Sequence, residues 1–228
     1  MIEGRHDRQR RQRSGGVRLN TAEAGPYNTW LAVWHFNTAG PVLGADHYCI
    51  PPLNRLDLRQ VLQLIRWEKS FVLHAPRQTG RTSTLIALAE RLNSEQEFRC
   101  VYATLEVGQA AREDTRPAMQ SNLMQVGERS RNMVGDTIIE GTMLEVLAKC
   151  GPDSALNIAL CRWAESSPRP LVLLLDEIDS LVGDTLISVL KQLRAGYDER
   201  PASFPQSIIL CGVRDVCDYR IYSGAKSL

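Results

Sequence analysis

The chain has 228 residues, 43% of them apolar, and a formal net charge of +1, enough to bury the core of one α/β domain with extensions. No run approaches the roughly 18 apolar residues of a membrane span, and the arginine-rich start lacks the apolar segment of a secretory signal. The reading is a soluble, cytoplasmic protein with no membrane partner.

Six cysteines (Cys49, Cys100, Cys150, Cys161, Cys211 and Cys217) contain no C-x-x-C pair, and with four scattered histidines they form no zinc pattern. Buried free thiols are expected. Of the 27 basic residues 23 are arginine and 4 are lysine. Six of those arginines (Arg5, Arg8, Arg10, Arg11, Arg13 and Arg18) fall in the first 18 residues against Glu3 and Asp7, which leaves the rest of the chain mildly acidic. Such a basic arm suits nucleic acid or anionic lipid, while its plainer reading is a solvated, flexible tail. Ile2-Glu3-Gly4-Arg5 also resembles a protease-cleavage tag.

In chain order, residues 1–24 form this basic arm, and residues 25–56 form an aromatic and Gly/Pro-rich lead-in that holds Tyr27, Trp30, Trp34 and Phe36. Residues 57–228 make the core. Leu58, Val61, Leu62 and Ile65 recur at helical spacing ahead of an apolar strand, Phe71 to Ala75. Inside that strand His74 reads as a packed core residue. Leu85, Leu88, Ala89 and Leu92 share one helical face, and Cys100 to Val107 reads as a second strand. The polar stretch from Gly108 to Gly135 permits a helix through Met119, Leu123 and Val126 without requiring one.

Leu156, Ala159, Leu160 and Trp163 mark a further helix, which Pro168-Arg-Pro170 stops. Five apolar residues from Leu171 then end in Asp176-Glu177, the pattern of a central strand that delivers carboxylates to its C-terminal edge. Leu186, Val189, Leu190 and Leu193 give a helix, and Ser207 to Gly212 a buried strand. Strands alternating with helices predict an α/β fold with a parallel, doubly wound sheet in a three-layer sandwich, with ligands at the carboxyl ends of the strands.

The segment Phe71 to Ser83 breaks from an apolar run into Ala75-Pro76-Arg77-Gln78-Thr79-Gly80-Arg81-Thr82-Ser83. It is built like the phosphate-binding signature G-x-x-x-x-G-K-[ST], in which loop amides surround phosphates, a lysine reaches the β/γ-phosphates and a hydroxyl holds Mg2+. Two positions are changed: Ala75 stands for the first glycine and Arg81 for the lysine. In such sites the first carboxylate of the distant acidic strand, here Asp176, holds magnesium together with the loop hydroxyl of Thr82. The second carboxylate, Glu177, is placed to polarise an attacking water. Plainer readings remain open: Arg81 pairs with Asp176, or Asp176, Glu177 and Asp179 cap the helix that follows.

With these motifs the chain resembles P-loop ATPases of the AAA+ or STAND type, with Walker A at Ala75 to Ser83 and Walker B at Leu171 to Glu177. The resemblance runs from about Phe36 to Tyr222. The segments Phe36 to Gly40, His47 to Pro52 and Gly212-Val-Arg-Asp215 are similar to bacterial AAA-like domains. It implies bound ATP and Mg2+, with the Tyr48 to Pro52 segment near the adenine and Arg214 after the sensor-bearing strand. It also implies that the chain stops before the family's helical lid.

Arginine keeps positive charge but not the shape of lysine, so hydrolysis is expected to suffer more than binding. The resulting expectation is an ATP-binding regulatory or remodelling module, working on a partner protein or an attached domain, with slow hydrolysis by Glu177. A catalytically inactive P-loop scaffold and a nucleic-acid-associated ATPase are the alternatives.

Overall fold

All six residues of Leu171–Asp176 are buried, as an apolar run covered on both faces of a parallel sheet must be. The structure, a computed structural model, describes residues 50–74, 76 and 79–213. Among the described residues β1 (Phe71–His74), β2 (Arg99–Thr104), β3 (Leu171–Asp176) and β4 (Ser207–Gly212) form one all-parallel sheet in the order β1-β4-β3-β2.

Among the described residues six α-helices connect or flank these strands: α1 (Leu58–Arg66), α2 (Arg81–Ser94), α3 (Thr115–Val134), α4 (Ile138–Cys150), α5 (Pro152–Ser166) and α6 (Gly183–Ala195). From β1 the chain crosses past β4 and β3 to β2, then steps back to β3 and on to β4. Right-handed crossovers in opposite directions require opposite faces of the sheet. The core obeys this: Cys100, Tyr102, Val172, Leu174, Ile209 and Cys211 pack with Leu85, Leu88 and Leu92 of α2 and Ile65 of α1. Their strand neighbours Val101, Ala103, Leu173, Leu175 and Ile208 point the other way, into a larger core with Leu123 of α3, Met143 of α4, Trp163 of α5 and Val189 of α6. The sheet is thus covered on both faces, an α/β arrangement compatible with a three-layer sandwich. Among the described residues no helix is long and apolar enough to cross a membrane.

The structure sharpens or corrects four readings. The second strand ends at Thr104, three residues before Val107, because its partner β3 ends opposite it at Asp176; Glu106–Ala111 turns into a 3-10 helix instead. The undecided stretch after Gly108 becomes the twenty-residue α3, begun by the Asp114 carboxylate accepting from Arg116 N–H and stopped by Gly135 in the left-handed conformation. Helix α4 had no counterpart in the sequence reading, although Ile139, Met143, Val146 and Leu147 all lie buried on one face. Finally, His74 is exposed rather than packed in the core: β1 alternates half-buried and exposed positions at the edge of the described sheet.

Candidate functional site

The carboxyl ends of β1 and β3 carry expected site residues, and local hydrogen bonds tie Pro76, Thr79 and Gly80 to the start of α2. Thr79 Oγ1 donates to the Pro76 carbonyl at 2.8 Å, and Thr84 Oγ1 donates to the Gly80 carbonyl at 3.0 Å. Gly80 adopts φ +78°, a left-handed conformation natural to glycine. The Arg55 guanidinium lies over it: a Cβ at Gly80 would stand 1.9 Å from Arg55 Nη1, and that nitrogen donates to the Thr79 carbonyl at 2.7 Å. Helix α2 starts at Arg81 with no acidic residue in its first turn, so its positive end is left for an anion. Ser83 lies half-buried in that turn.

On the other side of the site the chain leaves β3 through Asp176, 1% exposed, and Glu177, whose φ of +55° turns the backbone out of the sheet. Asp176 is surrounded by donors. Its Oδ1 accepts the Glu177 N–H at 2.9 Å and lies 3.0 Å from Arg81 Nε. Its Oδ2 accepts the hydroxyls of Thr82 at 2.9 Å and Tyr102 at 3.2 Å. Arg81 reaches both carboxylates, since its Nη2 also pairs with Glu177 Oε1.

Only 8% of the Arg81 side chain is exposed. Burial acts to lower its pKa, but neighbouring groups led by the charge of Asp176 outweigh that, and the net shift is upward. Arg81 is a permanent cation here. The Tyr102 hydroxyl is pushed up by burial and then by the Asp176 charge, so it stays a protonated donor. Cys211, beside the same cluster, is pushed up to about 12 by burial and then by Asp176, which keeps it an inert thiol.

Between the loop and the sheet edge opens a cavity of about 240 Å³, lined among others by Arg55, His74, Pro76, Thr79, Arg81 and Cys211. Among the described residues two guanidinium groups line it and no carboxylate does. Arg81 Nη1 is buried without a hydrogen-bond partner, and Nε, though 3.0 Å from Asp176 Oδ1, is not aligned for a hydrogen bond either. A buried cationic donor left unpaired is costly, so Nη1 marks the place where an anionic acceptor would be gained.

The structure therefore brings Pro76, Thr79, Gly80, Arg81, Thr82, Asp176 and Glu177 to one edge. Tyr48, Ala75, Arg77, Gln78 and Arg214, all expected at the nucleotide, lie outside the described residues, as do the basic arm, the aromatic cluster, Cys49 and Cys217. The plainer reading of Arg81, an ion pair with Asp176, is observed. Helix capping is not what the acidic residues do: Asp179 Oδ2 instead accepts the Val213 N–H at 3.1 Å, tying the turn after β3 to the end of β4.

Arg55 and Tyr102 escaped the sequence reading. A tyrosine in a buried strand demands a partner for its hydroxyl, which was a usable signal, whereas Arg55 reaches the loop from a 3-10 turn that carries no motif. No protein-family model matches the chain, and no curated protein matches it significantly. The site's own geometry therefore carries the functional reading.

Proposed function

We propose that the chain is a P-loop domain that binds the phosphates of ATP at the start of α2, in a regulatory or remodelling role exerted on a partner protein or attached domain. One observation carries this reading: Arg81, whose Nη1 is buried without a hydrogen-bond partner, lines with Arg55 the cavity beside the start of α2. Phosphate oxygens would accept from that nitrogen, from Arg55 and from the amides of the first turn of α2.

Turnover is expected to be slow or absent. A general base must reach the water it activates, and Glu177 is held by Arg81. That pairing favours the second reading, a nucleotide-binding scaffold without catalysis. Magnesium, expected on Thr82 and Asp176, does not fit the side chains as they stand. Asp176 already accepts three hydrogen bonds, from Glu177 N–H, Thr82 and Tyr102, and the Arg81 cation lies 3.0 Å from its Oδ1, so a metal would have to displace one of these partners.

Thermal unfolding in ATP tests the nucleotide reading. At a hundredfold excess over Kd, a ligand of the folded state adds about 2.7 kcal/mol, a rise in Tm of roughly 5–10 °C for a chain of this size. An unchanged Tm at saturating ATP contradicts it.

A further inference from the structure

Phosphate sites of this design ordinarily hold magnesium between a loop hydroxyl and a strand carboxylate, where the dication offsets the charge of the polyphosphate. Here a side chain stands at that junction. Arg81 begins α2, one residue before Thr82, and its guanidinium spans Asp176 and Glu177. Its position is enforced, because the side chain is 92% covered and removing the cation would strand a carboxylate that is 1% exposed.

A magnesium ion demands near-octahedral oxygen ligands at roughly 2.0–2.1 Å. To ligate Asp176 it would have to displace Arg81 Nε, Thr82, Tyr102 or the Glu177 amide. It would also sit beside a fixed guanidinium, cation against cation. The planar fork of arginine, unlike lysine, can hold two carboxylates with one edge and still present its remaining nitrogen elsewhere. Arg81 does this: Nε and Nη2 face the acids, and Nη1 faces no protein acceptor. Among the described residues that line the cavity are Arg81 and Arg55 and no carboxylate, so its described lining favours an anion.

We infer that this site takes a free nucleoside triphosphate without a divalent cation, with the Arg81 guanidinium standing in the metal's place between the carboxylates and the phosphates. The inference rests on the nucleotide reading above and specifies its cofactor requirement. Metal-free triphosphate is the more highly charged form, which suits two guanidinium groups and a helix N-terminus. Excess magnesium would withdraw it.

The test is calorimetric titration of the full chain with a non-hydrolysable ATP analogue, once in EDTA and once in excess magnesium, with Arg81→Lys in parallel. Wild type is expected to bind at least as tightly in EDTA as in magnesium. Arg81→Lys, whose compact ammonium cannot span both acids, is expected to bind more tightly with magnesium, by about tenfold or more. Wild-type binding that appears only with magnesium, or tightens tenfold with it, overturns the inference and leaves the nucleotide reading standing. No binding by wild type in either buffer overturns the nucleotide reading itself. The wild-type comparison decides the matter even if Arg81→Lys fails to fold.

Discussion

The end of β3 and the loop that follows β1 are joined by the ion pairs of Arg81 with Asp176 and Glu177, yet they are finished in opposite ways. On the β3 side every strand residue is buried and Asp176 accepts three hydrogen bonds and pairs with the Arg81 cation. On the β1 side burial alternates along the strand, a cavity opens, and Arg81 keeps a buried nitrogen without a partner. A satisfied carboxylate holds the structure together, whereas an unsatisfied cation waits for something outside it. The contrast locates function on the loop side and structural duty on the acidic side, the reverse of a site where the carboxylates hold the metal.

The largest effect that would break this contrast is Asp176→Ala. Removing one member of a buried pair strands the other, so a loss of about 3–5 kcal/mol in urea denaturation is expected, partly recovered when Arg81→Met is added. A loss below about 1 kcal/mol would mean that the acidic side is not structural. Next come paired truncations on the two strands. Leu174→Ala in β3, fully buried, should cost about 2–5 kcal/mol, while Val72→Ala in β1, 38% exposed, should stay within about 1 kcal/mol. Equal losses would erase the distinction between the strands.

Gly80→Ala sharpens the loop side of the comparison. The left-handed backbone costs a non-glycine residue about 1–2 kcal/mol, and the new methyl must push Arg55 away from the Thr79 carbonyl. Denaturation should show the stability loss, and ATP binding should weaken with it. The smallest effect is one of pH. The folded-state pKa of Cys211 is raised from 9.0 to about 12, so the unfolded chain releases this proton first. Its contribution to stability is whole below pH 9 and declines as the pH rises towards 12. Cys211→Ala should flatten that decline, and an unchanged slope would show that Cys211 does not govern it.

Much of the frame could be read from residue order. Leu171 to Leu175 followed by Asp-Glu announced the central strand, and the apolar stripe of Leu85, Leu88, Ala89 and Leu92 announced α2, because burial pattern and period coincide there. Helix α3 was hidden by its polar surface: buried Asn122 and Ser130 interrupt the stripe that its apolar residues form. The exposure of β1 was equally hidden, since an apolar run looks the same at the edge of a sheet as at its centre. The pairing of Arg81 with Asp176 was open to reasoning as an alternative. Its completeness was not, because Tyr102 reaches Asp176 only through the register of β2 on β3, and Arg55 reaches Gly80 only through the path of the preceding turn. Long-range register decides such contacts, and local sequence does not encode it.

The central claim is that the spare nitrogen of Arg81 receives phosphate. It is tested most directly by equilibrium dialysis of ATP against wild type and the double variant Arg81→Gln/Asp176→Asn, which removes the cation without stranding a buried carboxylate. The account predicts saturable binding by wild type and a loss of about tenfold or more in the variant, the worth of one charge-assisted hydrogen bond. Equal affinity in the two proteins, or no binding by wild type, would contradict it.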